Sequence, residues 1–208
     1  LLAWLERKSD VEGKSVDLGG RRIIQKSGLN QREVRWGEVR YLGEAKRDTM
    51  HARCRKGRGY VTEERSVIMN MTVADNLKLA AVAPDIAFGY FPALEDIMDR
   101  KAGLCSGGEQ QMLSLARALG RHPKVLLADE LSLGLAPIIV TNLLQAVRAA
   151  AEERGVGVLL VEQHVRQALK IADRVYLMER GRIALSGTSD EVVGQLDKIE
   201  AAYLSTGE

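Results

Sequence analysis

The sequence predicts an α/β fold with parallel core strands, on three observations. Val125-Leu126-Leu127-Ala128 is continuously apolar and ends in Asp129-Glu130, the pattern of a buried parallel strand whose carboxyl end presents two acids. Val156 to Val161 is a second such run. Between them, Pro137 to Arg154 places Ile138, Leu143, Leu144, Val147 and Ala151 at three- and four-residue spacing, as an amphipathic crossover helix does. Strand, helix and strand make a βαβ unit, expected to be right-handed.

The neighbouring elements follow in order. Ser106 and Glu109 have capping-box spacing, so a helix should open at Ser106 and bury Met112, Leu115, Ala116 and Leu119 on one face. A short helix is expected around Val165 to Ala172, then a strand at Val175 to Met178. Glu179-Arg180-Gly181-Arg182 should turn that strand into Ile183-Ala184-Leu185 as a hairpin, with Gly181 at positive φ. Thr188 and Glu191 form a second capping-box pair opening a last helix.

The chain has 208 residues, 46% hydrophobic and 28% charged, which is enough to bury a core and too apolar for a disordered chain. The formal net charge is +2, so global charge makes no case for nucleic acid. That total hides an asymmetry: residues 1–58 hold 15 Lys/Arg against 8 Asp/Glu, and the remainder 15 against 20. The basic part is rich in Arg and Gly, lacks a sustained period, and is expected to be weakly structured. Cys54 and Cys105 are too far apart for a CxxC pattern and read as reduced thiols. Leu1 to Leu5 is too short an apolar run for a signal peptide, and Leu79 to Leu94, broken by Pro84, Asp85 and Pro92, is too short to span a bilayer.

Ser106-Gly107-Gly108-Glu109-Gln110-Gln111 carries the chemistry. Two glycines in a first helical turn leave backbone N–H groups open at the positive end of the helix dipole, where an anion such as phosphate binds. Taken alone, the same letters describe an ordinary helix start. They are followed by the helix, the strand ending in Asp129-Glu130, and Ser132-Leu133-Gly134-Leu135. In that order the segments closely resemble the signature, Walker B and D-loop series of ATP-binding cassette (ABC) ATPases. Gly59-Tyr60-Val61-Thr62-Glu63-Glu64-Arg65, Met71 to Leu77, Gly134-Leu135-Ala136-Pro137 and Leu160-Val161-Glu162-Gln163-His164 are similar to the subfamily that energises branched-chain amino acid importers.

The resemblance covers about residues 37–204 and implies a P-loop NTPase-like ABC nucleotide-binding domain over 37–208, with a short helical subdomain at about 67–105. Residues 1–36 are an atypical basic segment without a match to it. The implied activity is hydrolysis of ATP with Mg²⁺ at a head-to-tail pair of cassettes, homo- or heterodimeric, coupled to integral membrane permease subunits on the cytoplasmic face. Asp129 is then placed to hold Mg²⁺, a hard cation that prefers oxygen, and Glu130 to orient or deprotonate the attacking water. Ser106, Gly107, Gly108 and Glu109 would stabilise γ-phosphate charge on nucleotide held by the partner chain, with Ser132 at that interface. Gln163 falls in the slot usually held by the switch histidine, His164 being one residue out of register. Glu63 occupies the slot of the Q-loop glutamine and can contact metal or water. Phe88, Tyr90 and Phe91 are candidate permease contacts, and aromatic residues at such spacing also suit a core.

An ATPase of this kind needs a phosphate loop, GxxxxGK[ST]. Only Gly13-Lys14-Ser15 approaches it; Lys8 stands where the first glycine belongs, no β-strand is expected before it, and Gly19, Gly20, Arg21 and Arg22 interrupt a following helix. Truncation or frame disruption of an ordinary ATPase is the favoured explanation, and a degenerate, non-hydrolytic subunit that supplies its signature in trans is the alternative. Trp4 and Trp36 are the available adenine-stacking residues.

Overall fold

The computed structural model describes residues 2–5, 49–179 and 182–195. Gly13-Lys14-Ser15, Trp36, Gly181 and most of the basic segment lie outside the described residues.

Six strands form one sheet: β1 (Leu2–Leu5), β2 (Arg58–Val61), β3 (Val125–Asp129), β4 (Gly157–Val161), β5 (Arg174–Glu179) and β6 (Arg182–Thr188), in the order β2-β3-β4-β1-β5-β6. β2, β3 and β4 are parallel, with Val61 opposite Ala128 and Asp129 opposite Val161. All their carboxyl ends therefore meet along one edge, which carries the candidate site. β5 and β6 form the expected hairpin.

β1 departs from expectation. A strand does precede Gly13-Lys14-Ser15, wedged between β4 and β5 and antiparallel to both, with Leu2 opposite Val161 and Leu5 opposite Val158. The gap between two parallel strands offers unpaired backbone on both sides, and a four-residue extended segment can satisfy it running in either direction. Because β1 runs backwards, the chain leaves it at the edge opposite Asp129 and Glu130.

The helices are α1 (Met50–Arg55), α2 (Val73–Leu79), α3 (Pro84–Tyr90), α4 (Gly107–Leu119), α5 (Pro137–Arg154), α6 (Val165–Leu169) and α7 (189–195), with 3-10 turns at Pro92–Ile97 and Ala102–Leu104. α5 spans the residues the sequence places in it, and α4 begins where expected, directly after Ser106. α4 buries Met112, Leu113, Leu115, Ala116 and Leu119. α5 stops at Gly155, which takes the left-handed conformation (φ 64°) that a helix C-cap favours. Its buried stripe is Val140, Leu143, Leu144, Val147 and Ala151, whereas Ile138 is 66% exposed, against expectation. At 100° per residue Ile138 lies about half a turn from Val147, on the opposite face. α6 is shorter than expected, because Lys170 already closes it.

The strands are not uniformly buried. Leu126, Ala128, Val158 and Leu160 are at most 2% exposed, while alternate positions such as Leu127 and Leu159 are only half-buried, so one sheet face carries the main core. α2, α3 and the 3-10 turns form the helical lobe, held on α4 through Leu77, Phe91, Leu94 and Ile97. Phe91, expected as a permease contact, is 3% exposed, and Phe88 and Tyr90 pack against the same core. The lobe's exposed large apolar residues are instead Ile68, Met69, Leu79 and Leu104.

Gly120 sets how closely lobe and core approach. A Cβ built there would lie 2.4 Å from Val82 Cγ1 and 2.9 Å from the Ala116 carbonyl oxygen. Gly120→Ala is expected to destabilise the fold by about 1–3 kcal/mol through overpacking. Urea unfolding checks this, and Val82→Ala in the same chain should recover part of the loss.

Candidate active site

The acids stand where the parallel strands end. Asp129 closes β3, and Glu130 follows in a left-handed conformation (φ 50°), uncommon for a non-glycine residue. Its amide donates to the Val161 carbonyl (2.9 Å), tying the turn to the end of β4. Burial, with the neighbouring Glu130 charge second, pushes the Asp129 carboxyl above its ordinary value. Tyr60, one strand away on β2, is raised by burial and by Asp129.

Gln163 reaches back to this turn: its Nε2 donates to Glu130 Oε1 at 2.7 Å. His164 next to it is exposed and caps α6 without a side-chain hydrogen bond. Gln163 is thus the arm that touches the acid. An amide cannot take a proton as imidazole does, so it orients without titrating.

Ser132 has a different place from the one expected. It is 3% exposed, its amide donates to Glu162 Oε1 (3.1 Å) and its hydroxyl to Glu162 Oε2 (2.5 Å). Its side chain is turned inward in this conformation, and Leu133, 44% exposed, faces outward instead. Glu130, Ser132, Leu133, Glu162, Gln163 and His164 line a shallow recess.

Glu162 was not legible as a site residue from spacing, since its partner is 30 positions away. Burial raises its pKa, opposed by the two Ser132 hydrogen bonds. An acid whose folded pKa lies above its unfolded value stabilises most below the unfolded pKa, and that stability is lost as pH rises through the folded value. Glu162→Gln keeps both contacts, with Ser132 Oγ now accepting, and removes the charge. The stability of Glu162→Gln relative to wild type should therefore grow as pH rises from about 4.5 and then level off, as urea titrations across that range would show.

At the second cluster, Ser106 caps α4 through the expected box: the Glu109 amide donates to Ser106 Oγ (3.2 Å), and the Ser106 amide to Glu109 Oε2 (2.6 Å). Glu109 also pairs with Arg100 at 3.1 Å, and the Ser106 amide is the main reason its carboxyl sits below the usual range. Its charge is spent on capping. Among the described residues no acceptor faces the amides of Gly107 and Gly108. Gly108 is buried against Ile139, whose Cγ2 lies 3.0 Å from where a Cβ would stand. Gly107 is fronted by Arg65: a Cβ there would meet the guanidinium at 3.1 to 3.2 Å.

Arg65 comes from a tight turn after β2, where it and Ser66 both have positive φ and the Ser66 carbonyl accepts from Arg117 Nη1 (2.6 Å). Sequence reasoning missed it, because 42 residues separate it from Gly107. A cation at the positive end of a helix is unfavourable by itself and favours an anion between the two.

Glu63 is exposed two residues past β2, on the edge that holds Asp129. Among the described residues no three His, Cys, Asp or Glu side chains converge as a metal cage. Mg²⁺ commonly takes one or two protein carboxylates and completes its shell with phosphate and water. Asp129, with Glu63 on the same edge, fits such partial coordination.

The fold and these two clusters define an α/β nucleotide-binding cassette. The family model for ABC transporters matches residues 26–132, beginning inside the basic segment. The chain is 40% identical over 178 residues to the high-affinity branched-chain amino acid transport ATP-binding protein BraG of Pseudomonas aeruginosa, covering 81% of this chain and 76% of that protein. It is 36% identical over 185 residues to a probable branched-chain amino acid transport ATP-binding protein LivF of Archaeoglobus fulgidus, covering 84% and 78%. Among solved structures, the ADP conformation of MJ1267, an ATP-binding cassette of an ABC transporter, superposes with a TM-score of 0.69 at 23% identity, covering 84% and 78%. The chain belongs to the ABC transporter ATPase family.

Proposed function

We propose that this chain is the ATP-binding subunit of a branched-chain amino acid importer and that it works by completing a nucleotide site whose phosphate cradle belongs to a partner cassette. Ser106, Gly107, Gly108 and Arg65 would receive the γ-phosphate of ATP held across the interface. The observation that carries this reading is the start of α4, where two amides without acceptors stand beside a guanidinium. The amino acid cargo rests on the two relatives at 40% and 36% identity.

In the hydrolytic form, the chain's own edge would hold Mg²⁺ through Asp129 with Glu63, which supplies charge neutralisation at the phosphates, and Glu130 would take the proton of the attacking water. In either form Gln163 would hold the Glu130 carboxylate in place. Two features separate the trans-acting role from full hydrolysis in this chain: the sequence around Gly13-Lys14-Ser15, and a β1 that leaves the sheet at the wrong edge. That makes the non-hydrolytic, signature-supplying subunit the better supported of the two forms. Ile68, Met69 and Leu104 would face the permease, since the Gly103 amide donates to the Met69 carbonyl (2.9 Å) and brings the exposed residues together beside the signature.

Uptake of labelled leucine tests this reading in the source cells. Deleting the gene should reduce uptake, and the wild-type chain, but not Gly107→Asp, should restore it. Unchanged uptake after deletion would contradict the importer assignment.

A further inference from the structure

Glu162 is the one acidic side chain among the described residues that is almost wholly buried, at 2% exposure. Both of its oxygens are spent on Ser132. A buried carboxylate is a poor way to gain stability, because an apolar side chain of similar volume often serves as well or better. Its value here is geometric.

The turn that Ser132 belongs to is weakly braced from within. Leu133 donates to the Glu130 carbonyl at 3.4 Å and Leu135 to the Ser132 carbonyl at 3.3 Å, both long. The short bonds come from three consecutive residues at the end of β4. Val161 accepts from the Glu130 amide (2.9 Å), Glu162 takes the Ser132 amide and hydroxyl, and Gln163 donates to the Glu130 carboxylate (2.7 Å). Left-handed conformations at Glu130 (φ 50°) and Gly134 (φ 68°) bend the turn outward so that Leu133 stands exposed between them.

We propose that Glu162 is a positioning residue: its two-oxygen grip on Ser132 holds residues 130–135 against β4, so that the Glu130 carboxylate and Leu133 are presented together to the partner cassette. Glu162 acts through Ser132 and touches no reacting atom. The functional half of this inference rests on the trans-acting reading above, whereas the geometric half can be read in the isolated chain.

The test compares Glu162→Gln, which can make both contacts, with Glu162→Met, which fills the space and makes neither. In the isolated chain, amide hydrogen exchange at Ser132 and Leu133 should be about tenfold faster in Glu162→Met, the loss of a buried hydrogen-bond partner. The Gln163 side-chain amide resonances should shift with it. Exchange along α5 should stay as in wild type, and Glu162→Gln should match wild type throughout. Wild-type exchange and resonances in Glu162→Met would overturn the proposal, as would acceleration spread equally over α5, which marks a purely structural role.

A second arm mixes each variant with an intact cassette relative and ATP. Glu162→Met should pair about tenfold more weakly than wild type, with Glu162→Gln unaffected. Undiminished pairing of Glu162→Met would overturn the functional half. Failure of the wild-type chain to pair would instead overturn the trans-acting reading, and the exchange arm would decide Glu162 by itself.

Discussion

Gly107→Asp is expected to abolish ATP-dependent pairing of this chain with an intact cassette while leaving the fold as stable as wild type or slightly more so. The new side chain starts 3.1 Å from the Arg65 guanidinium, the far end of a flexible side chain that can yield, and the carboxylate would pair with it. That pairing neutralises the cation and places negative charge where a phosphate would arrive. Two unit charges about 4 Å apart repel by about 4 kcal/mol at an effective dielectric of about 20, near three orders of magnitude in affinity. An acid in the first turn of α4 is favourable to the helix, which separates the effect from unfolding. Sedimentation for pairing and thermal melting for the fold read the two halves. Paired protein at wild-type affinity, with the substitution in place, would remove the start of α4 from any nucleotide contact.

The second large effect is an absence: the isolated chain should show no saturable ATP binding up to the millimolar range. Triphosphate affinity at a phosphate loop depends on an amide cradle and a lysine. In this chain β1 runs antiparallel to β4 and leaves the sheet at the edge opposite Asp129, and Lys8 replaces the glycine a cradle would need ahead of Gly13. The start of α4 offers amides and a cation but nothing for base or ribose. Titration with a fluorescent ATP analogue is the measurement. Micromolar affinity that disappears in Lys14→Ala would show a working loop at Gly13-Lys14-Ser15.

The elements that sequence made legible are those governed by local rules. The capping boxes at Ser106 and Thr188, the 18-residue span of α5, and the acids at the end of β3 all follow from spacing along one stretch of chain. Counting residues from the β4 strand placed Gln163, and not His164, in the switch slot, and Gln163 is the one that bonds Glu130. What stayed hidden was set by contacts between distant segments. Neither Arg65 in front of Gly107 nor Glu162 beneath Ser132 leaves a trace in spacing, because tertiary packing brings each pair together. The reversed direction of β1 was equally invisible, since four apolar-leaning residues carry no information about which way they run. Ile138 was misassigned for a simpler reason, because mixed three- and four-residue spacing admits more than one face at a helix start.

Sedimentation of this chain with an intact cassette relative whose catalytic acid is replaced by glutamine, with and without ATP, tests most directly whether the chain completes a nucleotide site that it cannot found. The expected result is a mixed dimer that forms only with ATP, while the chain alone stays monomeric in either condition. Pairing that is indifferent to ATP, or no mixed dimer at all, would contradict the account and leave Ser106 to Glu109 as a capped helix start.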